Sequence, residues 1–460
     1  MLHQVIRIGN GAGFWGDNLD APWILARDGG LDVLTLEYLA ELTMSILAHL
    51  RSKDPRQGYV RDFPEALEKL GPILQDQPGL SIVTNAGGLN PGECARACAQ
   101  QLTKIGLEET VVGAVDGDDV LSRLLTWHRD GVDLAHFETG EPIDAVLPRL
   151  VAANAYLGAR PIVEALRSGA RIVVTGRVAD ASLTVAPAVA RFGWSWDDWS
   201  KLAAASVAGH LIECGAQATG GLFDDWSSVE NPAEVGYPIA EIDSAGGLVV
   251  TKPEGSGGIV SVATLSEQIV YEIDDPSCYR TPDVDVDLTQ LRLEQLSTDR
   301  IKVSGAGGRS PSDRLKVSAV YRDGWTATGM LAVVGRDAEA KARRGGEIVK
   351  RRVERAGFVL DDLLVECIGA GDVVPGVLKP GSAPIEVVLR ITARDSRREA
   401  IDRLCREFAP LITSGPAGFA GYATGRPEPR PAFGYWPFLL PRSLVSESTV
   451  VRSARRWLEP

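Results

Sequence analysis

The feature that most constrains the fold is an alternation of short apolar runs with amphipathic segments over the first 180 residues. The runs are apolar on both faces and end at or beside Gly, Asn, Asp or Glu; they cover residues 4–8, 32–37, 80–85, 110–115 and 171–176. The intervening helical patterns cover residues 38–51, 64–75, 91–105, 120–127 and 147–167. Strands that are buried on both faces and separated by helices predict a parallel sheet covered by helices.

The second half of the chain has a different pattern. Strands are predicted at 301–304, 315–321, 325–334, 363–368 and 385–393, and helices at 337–356 and 397–411. Strand, strand, helix, strand, strand, helix is typical of a ferredoxin-like α+β sandwich. We therefore predict an α/β fold with a parallel-sheet domain at 1–240, an irregular linker at 241–300, and a smaller α+β domain at 301–460.

Composition excludes several classes of function. The net charge of −13 over 460 residues argues against nucleic acid as a partner, because binding the phosphate backbone requires a basic surface. No apolar stretch approaches the roughly 20 residues of a membrane helix, and no leader-like segment precedes the first strand. The six cysteines are scattered, without zinc spacing, so we expect no metal. We expect a cytoplasmic protein and, from its acidic surface and free sheet edges, a homo-oligomer.

A glycine-rich loop follows the first predicted strand. Gly11 and Gly13 open the sequence GAGFWG, which fits the G-x-G-x-x-G pattern, and Glu37 ends the next strand, where a ribose-binding acid would lie. The pattern indicates an NAD(P) site. The bulky Phe14 and Trp15 inside the turn favour the alternative, in which the loop shapes a pocket for another ligand.

Further loops follow other strands of the predicted sheet. In NAGGLN, the amides around Gly87 and Gly88, between Asn85 and Asn90, could hold a carboxylate or a thioester oxyanion at a helix start, or form only a turn. In GRVADAS, Arg177 suits a bidentate grip on a carboxylate or phosphate, or an ion pair with Asp180.

Two later glycine loops are further candidates for anion binding. Lys252 in TKPEGSGG could clamp the phosphates of a ligand or close over a substrate, or the segment could be a linker. Ser304 and Gly305 in SGAGG form a second glycine nest after a strand.

Side chains for acid–base chemistry come from three places. His210, Glu213 and Cys214 share one helical face, so His210 could act as a base oriented by Glu213, and Cys214 as a nucleophile. Asp17 and Glu37 stand beside the first loops and could be general bases with raised pKa values. A buried structural histidine and solvated loop acids are the alternatives.

Eight stretches resemble one known family, and they occur in its order from about residue 6 to residue 309. They include RIGNGAGFWGD, TNAGGLNPGECA, TGRVADASLTVAPAV, GHLIECGAQATGG and VSGAGGR. The chain is similar to the acyclic terpene utilisation family, AtuA. The resemblance implies breakdown of branched acyclic compounds through CoA thioesters, with hydratase- or lyase-type chemistry, and a small C-terminal domain that here would be a separate subunit.

We therefore predict a catabolic enzyme of lyase or hydratase type that acts on a branched or unsaturated carboxylic acid or its CoA thioester. Glu37 or His210 would move the proton, while the glycine-loop amides and Arg177 hold the negative charge. No cofactor is predicted, apart from CoA as part of the substrate. Two alternatives stay open: an NAD(P)-dependent oxidoreductase that uses the GAGFWG loop, and a non-enzymatic scaffold that partners a small subunit.

Overall fold

The computed structural model describes residues 5–377 and 384–459. The strands are β1 (Val5–Asn10), β2 (Val33–Leu36), β3 (Ser81–Thr84), β4 (Val111–Asp116), β5 (Leu150–Ala155), β6 (Ile172–Thr175), β7 (Ile239–Asp243), β8 (Leu248–Thr251), β9 (Tyr279–Arg280), β10 (Asp285–Asp287), β11 (Arg292–Ser297), β12 (Arg300–Ser304), β13 (Gly307–Arg309), β14 (Arg314–Val334), β15 (Asp362–Ile368), β16 (Glu386–Asp395), β17 (Phe419–Tyr422), β18 (Arg430–Pro441) and β19 (Ser448–Ser453).

The helices connect most of these strands. They are α1 (Ala21–Asp28), α2 (Glu41–Lys53), α3 (Asp62–Asp76), α4 (Pro91–Lys104), α5 (Leu124–Arg129), α6 (Arg160–Arg167), α7 (Ser182–Phe192), α8 (Trp199–Glu213), α9 (Val262–Val270), α10 (Ala338–Arg355), α11 (Arg398–Arg406), α12 (Leu411–Ser414) and α13 (Ala454–Trp457).

The described chain forms two compact units. Unit 1 comprises Met1–Leu147, Val151–Val320 and Trp436–Pro460, and unit 2 comprises Pro148–Leu150 and Tyr321–Tyr435. These limits differ from the predicted division at 1–240, 241–300 and 301–460. The difference arises because residues 301–320 and the C-terminal strand belong to unit 1 rather than to the α+β unit.

A ten-stranded mixed sheet organises unit 1, in the order β11-β12-β8-β7-β1-β2-β3-β6-β4-β19. The five predicted apolar runs are its central strands β1, β2, β3, β6 and β4, which pair in parallel. All residues of β2 and β6 are buried, as expected for strands covered on both faces. The carboxyl ends of these strands therefore meet along one edge of the sheet, where α/β sheets place their ligands.

Antiparallel strands extend this sheet on both sides. The segment predicted as an irregular linker supplies β7, β8 and β11, and β7 pairs antiparallel with β1. The predicted strand at 301–304 is β12, which pairs with β8 in the large sheet. At the opposite edge β19 pairs antiparallel with β4. The sheet is therefore mixed and not purely parallel.

One predicted helix was wrong. Residues 147–167 form strand β5 and then the shorter helix α6, with a break between them. Gly158 lies in that break, where a Cβ atom would meet the Asp283 carboxylate at 2.5 Å. Pro161 occupies the first turn of α6, a position that proline tolerates because it needs no hydrogen-bond donor there.

Unit 2 contains an antiparallel sheet in the order β15-β16-β14-β17. Helix α10 connects β14 to β15, and α11 and α12 connect β16 to β17, which gives the split β-α-β arrangement. The two predicted strands at 315–321 and 325–334 are one long strand, β14. Apolar residues of unit 2, including Leu331, Val349 and Phe408, form a core of their own.

Candidate active site

A cavity of about 540 Å³, here called the main cavity, lies in unit 1 beside the carboxyl ends of the central strands. Loops after β1, β2 and β6 line it together with the end of α8 and the segments around Tyr156 and Tyr271. Polar side chains that sequence patterns placed after separate strands therefore come together, as the topology of a parallel sheet requires.

Glu37, Arg177 and Asp180 form the centre of this cavity and are here called the Arg177 cluster. Arg177 Nη1 donates to Asp180 Oδ1 at 2.8 Å and to the Leu39 carbonyl at 3.0 Å, and lies 3.7 Å from Glu37 Oε1. The side chains of Arg177 and Glu37 are almost fully buried. The cluster therefore places one buried cation between Glu37, which is also buried, and Asp180, whose side chain is partly exposed.

Glu37 is held through only one of its oxygens. Oε1 accepts hydrogen bonds from the side-chain amide of Asn85 and from the backbone amide of Leu39, whereas Oε2 is buried and has no partner among the described residues. Burial, reinforced by the charge of Asp180, raises the pKa of Glu37 well above its usual range, although Arg177 and Asn85 oppose this rise. A protonated Glu37 is a carboxylic acid that can donate a proton at neutral pH.

The neighbouring carboxyl groups have smaller shifts. Burial raises the pKa of Asp180 to about 6; Arg177 opposes the rise and the charge of Glu213 adds to it. Beneath the cluster, burial raises the pKa of Asp118 to about 7. The Asp118 carboxylate accepts hydrogen bonds from the Arg177 backbone amide and from the Asn154 side chain, both to Oδ2, and so fixes the turn after β6.

Three residues of the site were missed by sequence reasoning: Glu41, Tyr156 and Lys316. The Tyr156 hydroxyl donates to Glu41 Oε1 at 2.9 Å, and Lys316 Nζ lies 3.6 Å from the same oxygen. The Arg177 guanidinium stacks over the Tyr156 ring at 4.1 Å from its centroid. Tyr156 follows β5, which the sequence pattern assigned to a helix, so its position beside the cluster could not be predicted.

His210 and Glu213, here called the His210 dyad, lie next to this cluster. His210 Nδ1 lies 2.8 Å from Glu213 Oε1, and Nε2 lies 3.3 Å from the Ile269 carbonyl oxygen. Burial opposes a charged imidazole, but the charge and hydrogen bond of Glu213 raise the pKa of His210. Because both ring nitrogens face acceptors, the imidazole is best satisfied as a cation that donates from both.

The dyad presents Glu213, not His210, to the main cavity. Glu213 Oε2 is buried and has no partner among the described residues. The adjacent Cys214 also lines the cavity, but burial raises the pKa of its thiol to about 12. The thiolate needed for a nucleophile is therefore disfavoured, and His210 is engaged with Glu213 instead.

The glycines of the GAGFWG loop serve internal packing. A Cβ atom on Gly11 would meet the Pro22 backbone at 2.8 Å, and one on Gly13 would meet the Cys214 backbone at 2.6 Å. Their amides donate to the Thr35 carbonyl and to Asp17 Oδ2. Protein atoms therefore occupy the space beside Gly11 and Gly13 that a pyrophosphate would need. The arrangement gives no support to NAD(P) binding at this loop.

Asp17 lines the main cavity and holds the same loop in place. Besides the Gly13 amide, its carboxylate accepts a 2.6 Å hydrogen bond from the Tyr237 hydroxyl. Both oxygens are therefore engaged, and the contacts favour a loop-positioning carboxylate over a free base.

The NAGGLN loop contributes Asn85, which orients Glu37 through its side-chain amide. The Gly88 amide donates to the Asn85 carbonyl and the Asn90 amide to the Gly87 carbonyl. The Asn90 side chain donates to the Pro55 and Gln57 carbonyls. The predicted anion cradle is thus a hydrogen-bonded turn, and these residues do not line the main cavity.

The remaining anion-binding candidates lie elsewhere in unit 1. Lys252 is buried, with Nζ 3.0 Å from Asp299 Oδ2 and 2.8 Å from the Ser256 carbonyl. Ser304 ends β12, and Gly305 follows it with φ +88° against the Gln290 carbonyl. None of these three residues lines the main cavity.

Within residues 5–377 and 384–459, no cluster of three or more His, Cys, Asp or Glu side chains has the geometry to hold a metal ion. Over the same part of the chain, no helix combines the length and apolarity needed to cross a membrane.

The model of the family described as "Acyclic terpene utilisation family protein AtuA" matches residues 6–451. The chain belongs to the AtuA family. Membership implicates this AtuA-family chain in acyclic terpene utilisation, which is consistent with a catabolic role. A search of curated proteins found no match.

Proposed function

We propose that this AtuA-family chain is a catabolic lyase- or hydratase-type enzyme that acts by acid–base chemistry on a branched or unsaturated carboxylic acid or its CoA thioester. The observation that carries the proposal is Glu37, a buried carboxyl group with one unpartnered oxygen beside Arg177 and Asp180. Two carboxyl groups whose surroundings shift their pKa values to different extents are suited to separate acid and base roles.

Each residue of the cluster has a role in this scheme. Asp180, which is largely ionised above about pH 6, accepts a proton from the carbon next to the carbonyl group in dehydration and returns it to that carbon in hydration. Protonated Glu37 donates a proton to the departing hydroxyl group, and in hydration its carboxylate takes that proton back from the attacking water. Arg177 balances the negative charge that develops between them. The glycine-loop amides have no part, because those of Gly11, Gly13 and Gly88 already donate to protein acceptors.

The test is turnover by the purified chain, without any partner, of branched unsaturated acids and their CoA thioesters. Product would be identified by mass spectrometry, with deuterium uptake from heavy water marking proton transfer at carbon. Glu37→Gln should lower kcat by about 10²- to 10⁴-fold, the usual value of a positioned acid. Glu68→Gln is the matched control, because Glu68 is exposed on α3.

Two results would contradict the proposal. One is full activity in Glu37→Gln with the fold intact by circular dichroism. The other is absence of turnover across the whole panel, which would favour the scaffold that partners a small subunit.

A further inference from the structure

A second chamber of about 240 Å³, here called the side chamber, adjoins the main cavity. The two spaces share lining residues, namely Tyr156, Asp180, Glu213, Glu272 and Lys316. Asp180 and Glu213 therefore face both spaces and lie where a ligand would pass from one to the other.

The two spaces differ in charge. Six carboxyl residues and two cations, Arg177 and Lys316, line the main cavity, and each cation lies beside a carboxylate there. The side chamber adds Arg280 and Arg314 to Lys316 and His210, against three carboxyl residues. An anionic group is therefore repelled by the main cavity and favoured in the side chamber.

Arg314 is the more available of the two added cations. Its guanidinium forms no ion pair with any described residue, and its residue is exposed at the start of β14. Arg280 lies on β9, and Ser312 lines the same chamber, whereas the Thr281 hydroxyl in its wall donates to the Val284 carbonyl. A guanidinium fork beside a serine hydroxyl suits a carboxylate or a phosphate.

The main cavity opens through an apolar rim. Three of its lining residues are large and exposed: Phe14 by 56%, Leu222 by 86% and Tyr271 by 40%. Leu222 holds its position with φ +57°, a backbone conformation that is costly for a branched side chain. Exposed apolar side chains at a cavity mouth accommodate an apolar ligand chain rather than a charged one.

We infer that the side chamber is an anion-binding subsite, in which Arg280 and Arg314 hold the charged end of a substrate whose apolar chain extends through the main cavity to the rim. This inference rests on the proposed function and adds the direction in which the substrate lies. The reacting carbon then lies between the two ends, beside Asp180, which faces both spaces. The anion is either the carboxylate of a free acid or a phosphate of CoA, since both use the same donors.

Binding of two probes, read by calorimetry without turnover, distinguishes these sources. The probes are 3-methylbut-2-enoate, a branched unsaturated carboxylate, and coenzyme A. The variant is the double substitution Arg280→Gln, Arg314→Gln, and the control is Arg292→Gln, which removes an exposed arginine on β11. We expect the double variant to raise the Kd of at least one probe by about tenfold or more, and the control to leave both unchanged.

Each outcome either identifies the bound anion or overturns the inference. A weaker Kd for the carboxylate alone assigns the subsite to a free acid, and a weaker Kd for coenzyme A alone assigns it to a phosphate. Equal affinity of wild type and double variant for both probes, or no binding of either to wild type, overturns the inference. Since binding is measured without chemistry, loss of turnover in Glu37→Gln tests the proposed reaction separately.

Discussion

The Arg177 cluster and the His210 dyad lie side by side, yet each stabilises a buried carboxyl group in a different way. In the cluster, one guanidinium contacts Asp180 directly and approaches Glu37 only to 3.7 Å, so Glu37 relies on Asn85 and a backbone amide. In the dyad, Glu213 has its own cation, His210, at 2.8 Å. When two carboxyl groups share one cation, the group farther from the cation tends to keep its proton. When a carboxyl group has its own cation, as in the dyad, the charged forms of both partners are favoured.

Stability should show the largest contrast between the two regions. Arg177→Met removes the cation of the cluster and should lower the free energy of unfolding by about 3–5 kcal/mol, because Asp180 and the Leu39 carbonyl lose a buried partner. His210→Gln retains an amide donor and should cost about 1–2 kcal/mol. Urea unfolding measures both. If His210→Gln is as destabilising as Arg177→Met, the cluster is not the more strongly coupled region.

The two regions should lose stability over different pH ranges as the pH rises, each by a few kcal/mol. Burial raises the pKa of Asp118 from 3.8 to about 7, so the folded protein retains a proton that the unfolded chain loses. Stability from this group falls as pH rises between about 4 and 7. The pKa of His210 is raised above 6.5, so its contribution is complete below that pH and is lost at higher pH.

Unfolding at pH values from 4 to 9 tests these windows. Asp118→Asn should make the fall between pH 4 and 7 shallower and leave the part due to Asp180 and Glu37, whose pKa values are also raised. His210→Gln should make the fall above 6.5 shallower. An unchanged profile in Asp118→Asn would show that its carboxyl group is already ionised near its ordinary pKa.

The smallest expected effect is that of a His210 substitution on activity. Because His210 faces Glu213 and a backbone carbonyl, it positions Glu213 and does not reach the main cavity. His210→Gln should therefore lower kcat by about tenfold or less, while the acid limb of the pH–rate profile, set by Asp180, stays near pH 6. A loss as large as that of Glu37→Gln, or a displaced acid limb, would make His210 the proton-transfer group.

The sequence pattern predicts the part of the fold that depends on local periodicity. The five parallel strands, and the placing of Glu37, Arg177 and Asp180 at their ends, follow from apolar runs with polar termini. The antiparallel strands β7, β8, β12 and β19 were not assigned to this sheet, because their pairing depends on contacts between distant segments. The prediction that the glycine loops bind anions or NAD(P) has no support in the structure, for a physical reason. Their glycines allow other protein atoms to pack closely, and the sequence alone cannot distinguish a protein neighbour from a ligand.

The protonation state of Glu37 is the property on which the acid–base scheme depends most. Infrared difference spectroscopy of wild type against Glu37→Gln at pH 7 measures it directly. We predict that the difference spectrum contains the carbonyl band of a protonated carboxylic acid, lost in the variant, because burial beside Asp180 raises the pKa of Glu37. Loss of carboxylate bands instead would show that Glu37 is ionised, and the donor of the proposed reaction would have to be another group.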